Sequence, residues 1–214
     1  MRRLVYIAMI HDTRQTDPEG YAESFSRLST KGKEVMSYLN DIVLPRFWED
    51  VQKYIGRFAF DKMYIEGLTW MSDNFELTAR TYAERGDALS QIVLDLYHNG
   101  VIPVQTEDPF VHKFCVGIQR SGLPANLPVE TVLSVIKEEV SDQEYKYLAN
   151  LCRGEAVVDP IRIRDRDIAL RVSMDLKDGE TGILFLGRGH KANEILGAID
   201  PEIEIQVYKG SNPF

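Results

Sequence analysis

Apolar residues collect in short runs, and these alternate with longer stretches in which apolar positions recur at helical spacing. The runs lie at 4–10, 58–66, 101–106, 182–187 and 203–209, and are rich in Val, Ile, Leu, Tyr and Phe. Their near-continuous apolarity, in place of strict alternation, predicts strands covered on both faces. Between the first two runs, Val35, Met36, Leu39, Ile42, Val43 and Phe47 recur every three or four residues. Pro45 is expected to kink or divide that helix, since it has no N–H to donate. The stretch 87–100 carries Asp87 as an N-cap and Asn99-Gly100 as a stop.

This alternation predicts an α/β fold: a mainly parallel sheet of about five strands with flanking helices and right-handed crossovers. The interval from about 110 to 178 breaks the pattern. It has no strand signal and reads as three or four helices, in "FVHKFCVGIQR", "PVETVLSVIKEEV", "DQEYKYLANLC" and "RDRDIALRVSMDLK". It is expected to be a helical insertion capping the carboxyl edge of the sheet, within one domain spanning 1–214. No internal repeat or low-complexity segment is evident.

Composition narrows the partners. The 214 residues carry a formal net charge of -8, which argues against nucleic acid, whose binding rests on Lys/Arg neutralisation of phosphates. The basic residues Arg162, Arg164 and Arg166 alternate with Asp165 and Asp167. No apolar stretch approaches the roughly 20 residues of a membrane span. The run at 4–10 is broken by His11-Asp12, as a core strand and not a leader would be. Cys115 and Cys152 have neither metal-ligand nor disulfide-framework spacing, so reduced, partly buried thiols and a cytoplasmic location are expected. A small-molecule or peptide substrate fits this profile, no membrane partner does, and a homo-oligomer stays open.

The chemistry-bearing residues follow the strands. His11-Asp12 comes after the first run, Glu66 ends the second, Glu107-Asp108 follow the third and His190 follows the fourth. In a parallel sheet these carboxyl ends share one edge, where ligands bind. Imidazoles with carboxylates suit a divalent transition metal such as zinc or manganese, with cobalt a further option, and also suit acid–base chemistry. His11, Glu66 and His190 are the candidate metal ligands. Glu107 and Asp108 are candidate ligand-binding residues, although their place before Pro109 equally suits capping or a turn. His98, at a helix end, and His112, read as a surface or packing residue, are assigned structural roles. Gly187-x-Gly189-x-x-Ala192 matches a relaxed dinucleotide fingerprint. The next strand, however, ends in Tyr208-Lys209 where an acidic residue would hold a ribose.

Gly187-Arg188-Gly189-His190 is also a GxxH element after a late strand. Upstream, "IRDRDIALRVSMDL" resembles the Arg-Asp-x-x-(hydrophobic)-Ala helix that precedes such an element in the TraB/Tiki superfamily. That group takes in the ChaN-like haem-binding proteins and the erythromycin esterases. His11 and Glu66 at strand ends, and "IPVQTED", are similar to its other landmarks. The chain departs from the pattern at Ala8, where the first GxxH has glycine, and at Ile163, where an acidic residue is expected.

The resemblance implies a small α/β fold with a polar cluster at one sheet edge, and members that act as metal-dependent peptidases, hydrolyse a macrolide ester or bind haem. The resulting expectation is a metal-assisted hydrolase. Glu66, Arg164 and His190 would be catalytic, with Arg164 and the backbone N–H groups after Gly187 stabilising developing negative charge. Gly187 and Gly189 would then contact ligand. A metal-free version uses Glu66 to activate water and a histidine to move protons. The alternative is a non-catalytic binding protein for a small ligand, haem included, with Trp70, Met71 and Phe75 near the cleft. A scaffold that self-associates through the helical insertion is the third reading.

Overall fold

The computed structural model describes residues 1–9, 18–68, 74–121 and 127–210. His11, Asp12, Trp70 and Met71 lie outside them. Five strands form one parallel sheet in the order β3-β2-β4-β1-β5: β1 (Arg2–Met9), β2 (Lys62–Ile65), β3 (Ile102–Val104), β4 (Thr181–Gly187) and β5 (Ile203–Tyr208). The long strands β1 and β4 are adjacent and in register from Arg3–Thr181 to Met9–Gly187.

Continuous apolarity has the expected cause. Successive side chains of a strand point to opposite faces. Val5, Ile7, Met9, Met63, Ile183 and Phe185 face one way, and Leu4, Tyr6, Ala8, Tyr64, Leu184 and Leu186 the other. The first face is covered by α3 (Leu44–Ile55), α4 (Phe75–Glu84) and α5 (Ala88–His98), through Phe47, Trp48, Val51, Ala79, Ile92 and Val93. The earlier helices are α1 (Pro18–Ser26) and α2 (Thr30–Tyr38). Pro45 acts as expected. It stands in the first turn of α3, and a π-turn at Leu39–Val43, closed by Leu44 N–H to the Leu39 carbonyl, separates α3 from α2. The wider turn accommodates the bond that proline cannot make.

The stretch 110–178 is helical: α6 (Pro109–Arg120), α7 (Val129–Ile136), α8 (Asp142–Leu151) and α9 (Pro160–Asp175), with a single antiparallel bridge, Pro128–Val157. Val111, Cys115, Val129, Leu148, Leu151 and Ile163 give α6–α8 and the start of α9 a core of their own. The later part of α9 belongs to the sheet. Ile168, Ala169 and Val172, with Ala192 and Leu196 of α10 (Ala192–Ile199), cover its second face. Chains leaving β1 and β2 are thus covered on one face, and those leaving β3 and β4 on the other. At the carboxyl edge neighbouring strands therefore send their chains to opposite sides, the topology at which ligands bind in open α/β sheets. Among the described residues no helix is long and apolar enough to cross a membrane.

Candidate functional site

Glu66 follows β2 directly, and its own N–H continues the sheet by donating to the Phe185 carbonyl, 3.0 Å. Beyond β3 the ladder is completed by a side chain: Ile65 N–H donates to Thr106 Oγ1, 2.8 Å. That turn carries Glu107 into the interior, where its side chain is 0% exposed. Helix α9 brings the countercharge. Asp159 caps it by accepting from the Ile161 and Arg162 N–H groups, and Pro160 opens it. Its first turns then bury Ile163, Arg164, Asp165 and Asp167.

These elements join in a continuous chain of charged hydrogen bonds. Arg164 holds Glu107 with two donors, Nε to Oε2 at 2.7 Å and Nη2 to Oε1 at 2.8 Å. The same Nη2 lies 3.4 Å from Glu66 Oε1. Glu66 Oε1 is 3.2 Å from His190 Nε2, and Glu66 Oε2 accepts from Gly187 N–H at 2.8 Å. His190 Nδ1 is 2.5 Å from Asp165 Oδ1, whose Oδ2 accepts from Lys191 N–H at 2.7 Å. At the far end, His112 Nδ1 is 3.1 Å from Glu107 Oε2, while Gly67 N–H donates to Glu107 Oε1 at 2.7 Å. Gly67 has φ +78°, which aims this N–H inward.

The electrostatics follow from the contacts. Burial alone would lower the His190 pKa, but the hydrogen bonds from Asp165 and Glu66 outweigh it and raise it to about 9. Two carboxylates, which only accept, make both ring nitrogens donors, so His190 is an imidazolium at neutral pH. Burial would raise Glu107, yet Arg164 and His112 bring it down to about 2. The Arg164 guanidinium, although desolvated, is held charged by Glu107 and Glu66.

Glu66, Arg164, Glu107 and His190 therefore meet, the first, third and fourth from positions after the strands and Arg164 from the start of α9. Asp108 does something else: it caps α6 by accepting from Phe110 and Val111 N–H, and pairs with Arg171 at 2.7 Å. Asp167, fully buried, accepts from Tyr147, Asp108 N–H and Arg171 and fastens α6 and α8 to α9. His98 sits in the last turn of α5, 3.3 Å from Glu76 Oε1. Asp165 was not singled out by sequence reasoning, and His112, read there as a surface or packing residue, is instead bound to the buried Glu107. Asp165 was masked by its place in an alternating run of charges. His112 gave only one signal, its spacing five residues after Glu107, and the helix start at Pro109 is what turns it back on that carboxylate.

The glycine turn offers less than its pattern implies. Gly187 N–H is taken by Glu66, Arg188 N–H by the Met9 carbonyl, His190 N–H by the Gly187 carbonyl and Lys191 N–H by Asp165. At these four positions a phosphate or oxyanion would have to displace a carboxylate or a carbonyl of the chain itself. Gly189 has no left-handed backbone, and a Cβ there would meet nothing within 4 Å. It is a turn residue. A manganese, zinc or cobalt ion fits the described residues poorly for the same reason. Both His190 nitrogens donate, Glu66 already accepts on both oxygens, and a guanidinium stands beside it. Among the described residues no group of three or more His, Cys, Asp or Glu side chains is arranged to hold a metal.

Comparison with known proteins finds no match to this chain among protein-family models, curated proteins or solved structures.

Proposed function

We propose that this protein is a hydrolase of the acid–base kind, working at the carboxyl edge of the sheet without routing the reaction through a metal. The observation that carries the reading is the placement of the His190 ring between Asp165 and Glu66 at the mouth of β2. Hydrolysis needs a proton donor for the leaving group. A histidine fixed at Nδ1 by Asp165 is suited to that task once substrate displaces Glu66 from its Nε2. Glu66, with 16% of its side chain exposed, bridges the His190 ring and the Gly187 N–H and would orient the water. Arg164, neutralised by Glu107, positions Glu66 and is not itself a free anion receptor. The substrate class is an ester or amide of a small molecule or peptide, in keeping with the activities implied by the TraB/Tiki resemblance. The buried free thiols Cys115 and Cys152, which burial pushes up to about 12 and about 11, fit the reducing cytoplasm expected for it.

The test is a panel of unactivated esters and peptides assayed with the wild-type protein, His190→Asn and Glu66→Gln. Loss of about 10²- to 10⁴-fold in turnover in both variants, with the fold retained, is the expected result. Equal turnover in all three overturns the assignment. A second reading, a non-catalytic cleft for a small ligand, is favoured by the mutual pairing of Glu66, Arg164, Glu107, Asp165 and His190. It predicts ligand-dependent thermal stabilisation with no turnover, and a Soret band on adding haem if haem is that ligand.

A further inference from the structure

The site contains a second carboxylate-held histidine, and its outer nitrogen is open. Both ring nitrogens of His190 are engaged by carboxylates. His112 is bound only through Nδ1, to Glu107 Oε2, and its Nε2 has no hydrogen-bond partner among the described residues. Its side chain is 30% exposed, while Glu107 behind it is 0% exposed. Glu107, held low by Arg164, is an acceptor at neutral pH, so Nδ1 must carry the proton of that bond. In its unprotonated form the ring is thereby fixed in the tautomer whose Nε2 lone pair points away from Glu107, as a carboxylate fixes the imidazole of a catalytic dyad. The ring lies beside the residue that follows Glu66, since a Cβ on Gly67 would sit 3.8 Å from His112 Cε1. Glu66 is a poor proton acceptor by comparison, flanked by the His190 and Arg164 cations.

We infer that His112 is the general base of the site, taking at Nε2 the proton of the attacking water; the inference rests on the hydrolase reading. As the water oxygen bonds to the acyl carbon, one O–H bond breaks and its proton passes to His112. The bond to the leaving group then breaks, its electron pair stays on the leaving atom, and His190 supplies the proton for that atom. Exchange with solvent returns His112 to its unprotonated form and His190 to its protonated one.

The leaving group separates the two histidines. 4-Nitrophenyl acetate releases a phenolate that departs without protonation, so its hydrolysis needs the base and not the acid. Using the full-length protein, His112→Asn is expected to lose about 10²-fold of this activity, while His98→Asn, at the end of α5 and outside the cluster, keeps it. Diethyl pyrocarbonate, which acylates unprotonated imidazole nitrogens, should modify His112 faster than His190 in the wild-type protein, read by peptide mass, and abolish turnover in step. Full activity in His112→Asn, or a His112 as resistant to acylation as His190, overturns the inference. Failure of the wild-type protein to cleave the probe or any ester of the panel overturns the hydrolase reading, and the base with it. Rapid acylation of His112 in that same protein would then still uphold the carboxylate-held, open imidazole.

Discussion

Strand β2 and helix α9 are tied together by charge at both ends, and the two ties differ in kind. At the amino end, Lys62 Nζ lies 3.1 Å from Asp175 Oδ2 and 3.0 Å from Glu180 Oε2, and Tyr64 OH donates to Asp175 at 2.8 Å. At the carboxyl end, Arg164 bridges Glu66 and Glu107, and a histidine closes each flank. The helix starts at one edge of the sheet and finishes at the other, so one helix supplies both ties. What separates them is solvent and proton chemistry. Asp175 and Glu180 remain 36% and 27% exposed and can rehydrate, whereas Glu107 is sealed. Among the described residues no imidazole joins the tie at the amino end, while two join the tie at the carboxyl end. A charge cluster by itself therefore marks a join. Imidazoles built into one mark a place where protons can move.

The largest break in this comparison is expected from Arg164→Met. It leaves Glu107 buried without its countercharge, and such losses run to about 3–5 kcal/mol. Urea unfolding should show it, and a loss below that of Lys62→Met would contradict the contrast drawn between the two ends. The next effect is on pH dependence. The folded-state pKa of His190 is raised from an ordinary 6.5 to about 9. Its contribution to stability is therefore fully present below 6.5 and is lost as pH rises through 9. Unfolding free energy should decline over that window in the wild-type protein, with a shallower decline in His190→Gln. Glu107 is lowered from 4.5 to about 2, so its contribution holds above 4.5 and disappears as pH falls through 2.

Smaller effects sharpen the same point. Lys62→Met should cost within about 1 kcal/mol, because its carboxylate partners reach water. Thermal melts of Lys62→Met and Arg164→Met measured side by side test that ranking. Gly189→Ala should change stability by less than about 0.5 kcal/mol. A larger loss in chemical denaturation would return a conformational role to the glycine turn.

Much of the fold was legible before any tertiary contact. Runs such as 4–10 and 182–187, apolar on both faces, require a sheet covered on both sides, and the intervening helical periodicities require crossovers that make it parallel. Asp87 and Asn99-Gly100 bound α5 where local capping chemistry predicts, with Asp87 accepting from Ser90 N–H. The strand ends also placed Glu66, Glu107 and His190 on one edge, because a parallel sheet leaves no other place for them. Strand lengths were less legible. The runs at 58–66 and 101–106 yield only β2 and the three-residue β3, since Phe58 and Phe60 pack against the core before the ladder begins and the Thr106 hydroxyl replaces it afterwards.

The partners within the site were decided by tertiary structure. Helix α9 has no apolar stripe to betray which side is inward. It buries Arg164, Asp165 and Asp167 alongside Ile163, Ile168 and Val172, because its first turns meet charged loops and its later turns meet the sheet. Periodicity registers burial against apolar surface and is blind to burial against an opposite charge. So the sequence determined which edge of which kind of sheet carries the chemistry. Only the packing of α6 and α9 on that edge decided that Asp165 orients His190, that Arg164 holds Glu107, and that His112 stands over Glu107. Those bonds join residues 25, 124, 57 and 5 positions apart, and all but the last depend on distances that local rules along the chain cannot set.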